Sequence, residues 1–484
     1  MRRRDFLRGL SAAATAATLA DSVAAAEPAG AARPNILFAI ADDWSWPHAG
    51  AHGDTAVRTP AFDRLAREGV LFAQAYTAAA SCTPSRGAIL TGQWPHRLEA
   101  GVNLWSHLDQ KFRCYPDLLQ AAGYRIGCCR KGWGPGSLEG TGRAHNPAGP
   151  AFKSFDDFLK GQPKDWPFAF WFGSHEPHRP YAAGSGAKAG IDPAALAVPP
   201  FLPDTPEVRS DIADYYLEVQ MFDSQVAEML KALDDAGLAD NTLVVMTSDN
   251  GMPFPRAKAN CYEFSTHMPL AIRWPARLKG GRRVDDFVSA TDYAPTFLEA
   301  AGLQPLPEMT GKSILPLLTG EGAPARDHVF VERERHAACR AGNLSYPIRA
   351  VRTADFLYIR NLEPDRWPAG DPPAYGDIDG GPSKTWLIEH KDDPKAARLF
   401  ALACEKRPAE ELYDLKKDPA ELNNVAHSPE YAEAKRRLRA QLDAWMADTA
   451  DPRAKGGGAG FDTYPYVTGR PTPPKGKAMA KEKP

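Results

Sequence analysis

A chain of 484 residues with 58 lysines and arginines against 60 aspartates and glutamates has a formal net charge of -2. Proteins that bind nucleic acid normally carry a basic excess, so this balance argues against nucleic acid as a partner, although it is compatible with a local basic pocket. Hydrophobic residues form 43% and charged residues 24% of the chain, which is ordinary for a globular protein. The length allows two or three domains, or one large domain with a smaller one.

The first 26 residues have the pattern of an export signal. The run Arg2-Arg3-Arg4-Asp5-Phe6-Leu7 precedes a short, Ala-rich apolar stretch that ends in Ala24-Ala25-Ala26. A charged start, a weak apolar centre and a small-residue cleavage site predict a signal peptide rather than a membrane span, and the paired arginines are typical of the twin-arginine type. A disordered basic tail is the alternative. We expect an exported protein, periplasmic or extracellular, without stable membrane insertion.

The first predicted strand, residues 34–41, is continuously apolar, as is typical of a strand buried on both faces of a sheet. It ends in Asp42 and Asp43. Ligands bind at the carboxyl ends of strands in open α/β sheets, and paired carboxylates repel each other unless a cation lies between them. A hard, oxygen-binding metal is the natural partner of such a pair, and exposed acids in a turn are the alternative.

A predicted helix (60–69) and strand (70–76) lead to a segment around Cys82. Pro84 suits the first turn of a helix. Cys82 is therefore expected at a helix N-terminus, where free N–H groups and the positive end of the dipole favour an anion, and Arg86 lies one turn further along the same face. The segment predicts a reactive group that handles an anionic substrate. A buried structural cysteine beside a surface arginine is the alternative.

Two further predicted strands are each followed by polar residues. The strand over 124–129 precedes a Gly-rich loop with Lys131, which could clamp an oxyanion, although a solvated lysine is the usual alternative. The strand over 167–172 precedes His175 and His178, which suit proton transfer beside an anion.

A surface excursion (182–209) and a long helix (211–236) separate that strand from the next one, 242–246. This strand is followed by Asp249 and Asn250, a carboxylate and an amide oxygen. Together with the acidic pair after the first strand they give four oxygen-bearing side chains, the kind of donor set that calcium prefers.

Beyond residue 325 the pattern changes to short alternating strands at 329–332, 348–352 and 356–360, which predict a small antiparallel sheet. An irregular insertion (366–392) and an amphipathic helix (429–448) come after them. We therefore predict an α/β fold with a large, mostly parallel mixed sheet flanked by helices in residues 34–325. A smaller C-terminal α+β subdomain built on an antiparallel sheet is expected in residues 326–451, and a disordered Gly/Pro/Lys-rich tail in residues 452–484.

Four segments together resemble type I sulfatases of the alkaline phosphatase superfamily, over about residues 34–451. They are Ala41-Asp42-Asp43, the long signature Cys82-Thr83-Pro84-Ser85-Arg86 with Thr91-Gly92, Pro177-His178-Arg179-Pro180, and Ser248-Asp249-Asn250-Gly251. Within that family the chain is similar to the heparan N-sulfatases (sulfamidases) in residues 201–206, 248–255 and 345–349. The fold implied is that of alkaline phosphatase.

The resemblance implies that a formylglycine-generating enzyme oxidises Cys82 to formylglycine. A hydrated aldehyde offers two hydroxyls on one carbon, so that one can attack sulfur and deprotonation of the other then expels sulfate. The family pattern also implies calcium, with magnesium as the alternative, bound by Asp42, Asp43, Asp249 and Asn250. It assigns stabilisation of the nucleophile to Arg86, binding of sulfate oxygens to Lys131 and Lys258, and protonation of the leaving atom to His178, with His175 as runner-up.

One position departs from the family pattern, because Trp133 stands where a histidine is usual. A tryptophan can stack on a sugar or pack the loop, but it cannot exchange protons. His107 and His267 are the candidates for the missing donor, and a structural role is the alternative for each.

These observations favour an exported hydrolase that removes sulfate from a sulfated glycan, with N-sulfoglucosamine favoured over O-sulfated sugars. A phosphonate or phosphodiester hydrolase is an alternative, because a tetrahedral phosphoryl group fits the same clamp of cations. A non-catalytic glycan-binding relative is a second alternative, which Trp133 favours.

Overall fold

The computed structural model describes residues 33–163, 165–322 and 326–467. The signal peptide expected at residues 1–26 lies outside these ranges. Among the helices of the described residues, none combines the length and the apolar character that a membrane span requires.

The strands within these ranges form two sheets. The larger sheet contains β1 (Asn35–Ala41), β2 (Val70–Tyr76), β3 (Arg125–Arg130), β4 (Phe168–Gly173), β5 (Thr242–Ser248), β6 (Leu270–Arg273) and β7 (Arg282–Ser289). The smaller sheet contains β8 (His328–Arg333), β9 (Ile348–Thr353), β10 (Phe356–Asn361) and β11 (Glu410–Asp414). Their strand orders are β3-β4-β1-β5-β6-β2-β7 and β11-β10-β9-β8.

The directions of the strands confirm the predicted fold class. In the larger sheet β6 is antiparallel to both of its neighbours, and the other pairs are parallel. In the smaller sheet the paired strands are antiparallel throughout. A mostly parallel mixed sheet is thus accompanied by a separate antiparallel one.

The α-helices of the described residues are α1 (Pro60–Glu68), α2 (Cys82–Thr91), α3 (Tyr115–Ala121), α4 (Phe155–Lys160), α5 (Ser185–Lys188), α6 (Pro206–Asp235), α7 (Glu263–Thr266), α8 (Tyr293–Ala300), α9 (Leu315–Thr319), α10 (Pro382–Glu389), α11 (Ala397–Cys404), α12 (Ala432–Asp448) and α13 (Gly460–Thr463). The long helix α6 begins five residues earlier than the sequence predicts. Pro206 occupies its first turn and the Thr205 side chain accepts a hydrogen bond from Val208 N, so the N-cap signal lies before the apolar periodicity.

The strand β1 lies in the interior of the larger sheet, and its side chains alternate between two cores. Leu37, Ala39 and Ala41 face one core, and Ile36, Phe38 and Ile40 face the other. Helices α1 and α6 cover the first face, and α2, α3 and α8 cover the second. The continuous apolar run in the sequence is explained by this burial on both sides.

Parallel pairing brings the carboxyl ends of four strands to one edge of the sheet. Ala41 in β1 is paired with Ser248 in β5, and Ile40 in β1 with Gly173 in β4. Gly173 is in turn paired with Arg130 in β3. The polar residues after these strands therefore begin side by side, as expected for a ligand site in an open α/β sheet.

Several elements of the structure differ from the sequence prediction. The segment 366–392, predicted to be irregular, contains α10, and neither α11 nor β11 is predicted. The strand β7 is not predicted either. Both β7 and β11 are edge strands: β11 is charged, and β7 has exposed residues in its first half, so both lack the apolar run that marks buried strands.

Residues 452–467 are ordered, so the prediction of a disordered tail is wrong for this part. Arg453 donates to both carboxylate oxygens of Glu334, and Phe461 is 5% exposed. The Asn103 side chain donates to the Phe461 carbonyl at 2.9 Å. Specific packing against distant residues therefore outweighs the Gly- and Pro-rich composition, and the tail beyond residue 467 lies outside the described residues.

Candidate active site

Cys82 is the first residue of α2, which confirms its predicted position at a helix N-terminus. The helix begins two residues before Pro84, and the preceding Ser81 has an extended backbone. All ten residues of α2 are buried. Burial, followed by the neighbouring Asp42 carboxylate, raises the pKa of the Cys82 thiol well above its ordinary value. The sulfur is therefore a protonated thiol and a weak nucleophile in this environment.

Three carboxylates and one amide converge on this sulfur atom. Cys82 Sγ lies 3.3 Å from Asp42 Oδ1 and 4.0 Å from Asp43 Oδ1. One polar atom from each of Asp42, Asp43, Asp249 and Cys82 lies within 4.8 Å of the others. Asn250 Nδ2 donates to Asp249 Oδ1 at 2.7 Å and to Cys82 Sγ at 3.5 Å. We call these five residues the strand-end cluster, and its four oxygen-bearing members are those that the sequence predicts.

The amide oxygen of Asn250 agrees with a cation at this cluster. Asn250 Oδ1 is buried and has no hydrogen-bond partner among the described residues. A buried acceptor without a donor is rare in folded proteins, and a bound ion is one of its ordinary explanations. Carboxylate and amide oxygens are the ligands of hard divalent cations, whereas a thiol is a soft ligand that such cations bind poorly.

Two buried or partly buried lysines pair with the acids at the end of β1. Lys131 Nζ lies 2.5 Å from Asp42 Oδ2, and Lys258 Nζ lies 2.5 Å from both carboxylate oxygens of Asp43. Burial opposes ionisation of Asp42, but Lys131 and the other nearby cations outweigh it and hold its pKa well below the ordinary value. At Asp43 burial dominates and raises the pKa to about 6. Lys258 thus does not fully offset the cost of burying the Asp43 charge.

Arg86 connects three parts of the site. Its Nε donates to Asp249 Oδ2 at 2.7 Å, and its Nη1 donates to the carbonyls of Lys131 and Gly132 at 2.8 and 3.0 Å. Its Nη2 lies 3.7 Å from Asp42 Oδ1. The guanidinium is completely buried, so it fixes helix α2 against the ends of β1, β3 and β5.

His178 lies beside the strand-end cluster. Its Nδ1 donates to the Arg179 carbonyl at 2.6 Å, while its Nε2 lies 3.8 Å from Asp43 Oδ2. Because Nδ1 keeps its proton in the bond to the Arg179 carbonyl, a protonated ring would carry its other proton on Nε2, which faces the site. His175 lines the same cavity, but burial, followed by the Arg130 cation, lowers its pKa and disfavours the protonated ring that an acid needs. His178 is the better placed proton donor.

The structure does not bring His107 or His267 into the cavity. His267 is 1% exposed, and its ring nitrogens are engaged by Glu263 Oε1 at 2.7 Å and by the Ala73 carbonyl at 2.9 Å. His107 Nδ1 bonds to the Ser137 carbonyl at 3.1 Å, and the ring is not among the described residues that line the cavity. Neither histidine lines the cavity among the described residues, so the structure gives no support to either as the missing donor.

Trp133 forms part of the cavity wall and packs its loop. Its main-chain N–H donates to Asn146 Oδ1 at 2.8 Å, and its carbonyl accepts from Asn146 Nδ2 at 2.9 Å. The side chain is 4% exposed. If residue 136 had a Cβ, that atom would lie only 2.7 Å from the Trp133 ring, so the ring packs where only a glycine leaves room. The tryptophan thus fits tightly over a glycine, which agrees with the packing role expected from the sequence.

A cavity of about 600 Å³ opens over these groups. Several lining residues are predicted from the sequence, namely Asp42, Cys82, Lys131, Trp133, His175 and His178. Others come from the C-terminal part of the chain, and we call them the C-terminal wall: His336, Ala337, Gly376, Asp379 and Tyr466. The sequence does not single these out, because none of them follows a strand of the larger sheet and only the tertiary fold brings them to the cavity.

His336 shows how the C-terminal wall contacts the nucleophile segment. Its Nδ1 lies 2.8 Å from Ser81 Oγ, directly before Cys82. Burial lowers the pKa of His336 to about 3, so the ring is neutral. A neutral imidazole bonded to the N-cap serine positions the start of α2 rather than supplying charge.

Comparison with known proteins gives the family. The sequence model named Sulfatase matches residues 34–135 and 150–303. Human N-sulphoglucosamine sulphohydrolase is 32% identical, over 87% of this chain and 91% of the human protein. The chain belongs to the sulfatase family. It is accordingly a hydrolase that cleaves sulfuric esters or sulfamates.

Other relatives are similar over most of the sulfatase chain. A second family model, described as the C-terminal region of N-sulphoglucosamine sulphohydrolase, matches residues 257–369. An ulvan-active sulfatase of Formosa agariphila is 29% identical over 89% of this chain and 83% of its own.

Solved structures share the fold. One is described as a complex with its substrate D-glucosamine-2-N,6-O-disulfate, with a TM-score of 0.63, 22% identity, and coverage of 87% of this chain and 98% of that one. A phosphonate monoester hydrolase of Agrobacterium radiobacter has a TM-score of 0.59 and 22% identity, and the match covers 86% of this chain and 96% of that one. At this identity both comparisons concern the fold alone.

Proposed function

We propose that this sulfatase removes the N-sulfo group from glucosamine residues of heparan-type chains. The observation that carries the proposal is the similarity to human N-sulphoglucosamine sulphohydrolase along 87% of the chain, together with the separate match of residues 257–369 to the C-terminal model of that enzyme.

The cavity agrees in chemistry with an anionic sugar, because lysines and histidines line or adjoin it. Trp105 and Tyr466 supply aromatic rings at the cavity, with centroids 6.3 Å apart, and aromatic rings have an apolar face on which a sugar can pack.

The strand-end cluster is proposed to bind calcium, with magnesium as the alternative. The residues that would hold it are Asp42, Asp43, Asp249 and Asn250, and the unpartnered Asn250 Oδ1 supports this assignment. When bound, the ion supplies positive charge that stabilises the developing negative charge on the sulfuryl oxygens. The three carboxylates are otherwise balanced by Arg86, Lys131 and Lys258, so a site with a bound divalent cation is positive and attracts an anion.

Cys82 is proposed to be converted to formylglycine by a formylglycine-generating enzyme. The unmodified thiol is soft, protonated and surrounded by carboxylates, which suits neither cation binding nor nucleophilic attack. The modified side chain supplies an oxygen nucleophile that also gives a release step for sulfate. This modification is proposed to precede export to the periplasm or beyond. The order agrees with a twin-arginine signal, because that route carries proteins that have already folded.

The remaining residues act on charge and protons. Lys131 and Lys258 would bind sulfuryl oxygens once the cation holds their carboxylate partners, and Arg86 holds Asp249 in place. His178 donates the proton from Nε2 to the leaving nitrogen, since its Nδ1 is engaged by the main chain. An amine leaves far more readily than an amide anion, so this proton is essential for cleavage of the N–S bond.

The test uses purified protein, coexpressed with a formylglycine-generating enzyme, and heparin disaccharides that each carry one sulfate. We expect release of sulfate from the N-sulfated disaccharide in preference to the 6-O- and 2-O-sulfated ones, and a mass for the Cys82 peptide that matches the aldehyde. Preferential release from an O-sulfated disaccharide would refute the substrate, and a fully unmodified thiol would refute the nucleophile. A preference for a nitrophenyl phosphonate over the corresponding sulfate would refute the reaction class.

A further inference from the structure

Asp379 is a carboxylate in the cavity with an unused acceptor. Its Oδ2 is buried and accepts no hydrogen bond within the described residues, although Lys258 Nζ lies 3.5 Å away. One polar atom from each of Asp43, His178 and Asp379 lies within 4.8 Å of the others. Asp379 therefore faces the same small space as the nitrogen of His178 that would protonate the leaving atom.

The segment that carries Asp379 is fixed on both sides. Two residues before it, Asp377 is 1% exposed and accepts from Arg340 Nη2 at 2.5 Å and from Arg333. Four residues after it, Ser383 Oγ donates to Asp211 Oδ2 at 2.6 Å. Buried, charge-assisted hydrogen bonds at both ends hold a loop in one conformation.

The glycine at position 381 shows how closely this loop is packed. A Cβ there would lie 2.3 Å from Arg179 Nη1, and Arg179 itself forms a two-bonded ion pair with Asp211 at 2.7 Å for each bond. The carboxylate of Asp379 is thus presented to the cavity by a rigid support rather than by a mobile surface loop.

We propose that Asp379 determines specificity for a sulfamate nitrogen over an ester oxygen. This inference rests on the proposed function. The bridging nitrogen of a sulfamate carries one hydrogen, which an ionised carboxylate can accept. The bridging oxygen of a sulfate ester carries lone pairs and no hydrogen, so the same carboxylate repels it. A site that provides a fixed acceptor for an N–H rejects the analogue that lacks it.

The product reinforces the same preference. In the net reaction R–NH–SO3⁻ and water give R–NH3⁺ and SO4²⁻, so the N–S bond breaks, a new S–O bond forms, and the nitrogen gains two protons. His178 delivers the first proton in the sulfuryl-transfer step, and the amine takes the second from water. Asp379 then faces an ammonium group, and the charge-assisted hydrogen bond between them is stronger than the one to the neutral N–H.

Two other roles for this acid predict different behaviour. As a ligand of the cation, Asp379 would be needed for metal binding, but Lys258 lies between it and the strand-end cluster, at 2.5 Å from Asp43. As an acceptor for a sugar hydroxyl, it would contribute equally to N- and O-sulfated substrates. The experiment distinguishes these roles.

The experiment compares wild-type protein, Asp379→Asn, Asp379→Ala and the control Asp392→Asn, which changes an exposed acid outside the cavity. For each we measure kcat/KM on N-sulfoglucosamine, on 4-nitrophenyl sulfamate, which has the N–H but no sugar hydroxyl, and on 4-nitrophenyl sulfate, and the affinity for Ca²⁺ by calorimetry. We expect kcat/KM on both sulfamates to fall about 10- to 100-fold in both Asp379 variants, as for loss of a hydrogen bond to a charged group. Activity on the aryl sulfate should not fall and should rise as the repulsion of its bridging oxygen is removed, whereas Ca²⁺ affinity and the control should stay within about 2-fold of wild type.

Equal losses on the sulfamates and the aryl sulfate would overturn the proposal, and so would a loss on N-sulfoglucosamine without one on the aryl sulfamate, or a loss of Ca²⁺ binding in Asp379→Asn. A second measurement needs no folded variant: glucosamine, which carries the ammonium, should inhibit wild-type protein about 10-fold more strongly than N-acetylglucosamine, which does not. Equal inhibition would also overturn it.

Failure of the underlying function has a separate signature. Wild-type protein that releases sulfate only from O-sulfated sugars would refute the proposed substrate and, with it, the role of Asp379. Wild-type protein that cleaves N-sulfoglucosamine, with Asp379 variants that lose both activities in parallel, would leave the function intact and refute the role of Asp379 alone.

Discussion

The strand-end cluster and the C-terminal wall hold their charges in opposite ways. In the cluster, three carboxylates converge within 4.8 Å and one amide oxygen is left without a partner among the described residues. Behind the wall, each of two buried acids is matched by arginines: Asp377 by Arg333 and Arg340, and Glu334 by Arg349 and Arg453. A buried oxygen without a partner is suited to a ligand, whereas acids that are each matched by two arginines stabilise the shape of a surface.

This difference implies that substitutions in the two regions have separable effects. Substitution of Cys82 or Asn250, the members of the cluster that form no ion pair, should remove activity at little cost in the free energy of unfolding, since residues of a ligand site are arranged for binding rather than for stability. Changes behind the wall should lower stability and alter substrate binding. Substitutions at four positions test this separation, beginning with the largest expected effect.

Cys82→Ala should lower kcat/KM on N-sulfoglucosamine by more than about 10⁴-fold, as expected for loss of a covalent nucleophile. Cys82→Ser should be similarly inactive, because a sulfated serine lacks the release step. Both variants should unfold within about 1 kcal/mol of wild type, since one small buried group is exchanged for another. Turnover assays and thermal unfolding check this, with Cys339→Ser as the control. Residual activity within about 100-fold of wild type would show that Cys82 is not the nucleophile.

Asn250→Ala should weaken Ca²⁺ binding about 10- to 100-fold, because the variant lacks the unpartnered amide oxygen. Chelation of wild-type protein should abolish turnover and lower its unfolding temperature, and readdition of Ca²⁺ should restore both. A ligand present at about 100 times its dissociation constant contributes about 2.7 kcal/mol to stability. Calorimetric titration is the measurement, and the exposed Asn423→Ala is the control. Unchanged affinity in Asn250→Ala would place the cation elsewhere.

Asp377→Asn should destabilise the fold by about 3–5 kcal/mol, because it leaves buried arginines without their carboxylate. Burial opposes ionisation of Asp377, but Arg340 and Arg333 outweigh it and hold its pKa well below the ordinary value of 3.8. Its contribution to stability is therefore fully present above pH 3.8 and is lost as the pH falls. Denaturant unfolding should show a gap between the variant and wild type that closes only in acid.

The same variant should keep its affinity for Ca²⁺ while KM for N-sulfoglucosamine rises, since the loop with Asp379 is no longer fixed. Asp371→Asn, a partly exposed acid nearby, is the control. A loss of Ca²⁺ affinity that parallels the loss of stability would contradict the separation between the two regions.

Tyr466→Ala should have the smallest effect, a rise in KM of about 2- to 10-fold for heparin oligosaccharides, as expected when one aromatic contact worth about 0.5–1.5 kcal/mol is removed. Hydrolysis of 4-nitrophenyl sulfate, which is too small to span the cavity, should not change. Steady-state kinetics on both substrates provide the measurement. An equal effect on both would show that Tyr466 supports the fold and does not contact the sugar.

The sequence predicts the strand-end cluster because its signals are local. A continuous apolar run that ends in Asp42 and Asp43, or in Asp249 and Asn250, marks a buried parallel strand together with the polar residues at its carboxyl end. The parallel sheet then brings such ends together without further information. The helix at Cys82 is predicted for the same kind of reason, since Pro84 and the small residues before it mark a helix start.

The C-terminal wall lacks such signals. Asp379 lies in a Gly-, Pro- and Asp-rich stretch whose composition predicts only irregular structure, and its position depends on Arg333, Arg340 and Asp211, which are distant in sequence. His336 carries no local signal either, because its place at the cavity depends on contact with Ser81, which is distant in sequence. Composition also fails for residues 452–467, because it does not report long-range contacts such as that of Arg453 with Glu334.

The two lysine–carboxylate pairs, Lys131 with Asp42 and Lys258 with Asp43, have a consequence for how the enzyme fills with its ligands. A cation held by the carboxylates would leave two ammonium groups for an incoming anion, and an anion held by the ammonium groups would leave the carboxylates for a cation. Occupancy by either ligand would therefore favour the other by the same factor, as thermodynamic reciprocity requires. We expect the affinity for Ca²⁺ in sulfate, corrected for the pairing of Ca²⁺ with sulfate in solution, to exceed that in chloride at the same ionic strength.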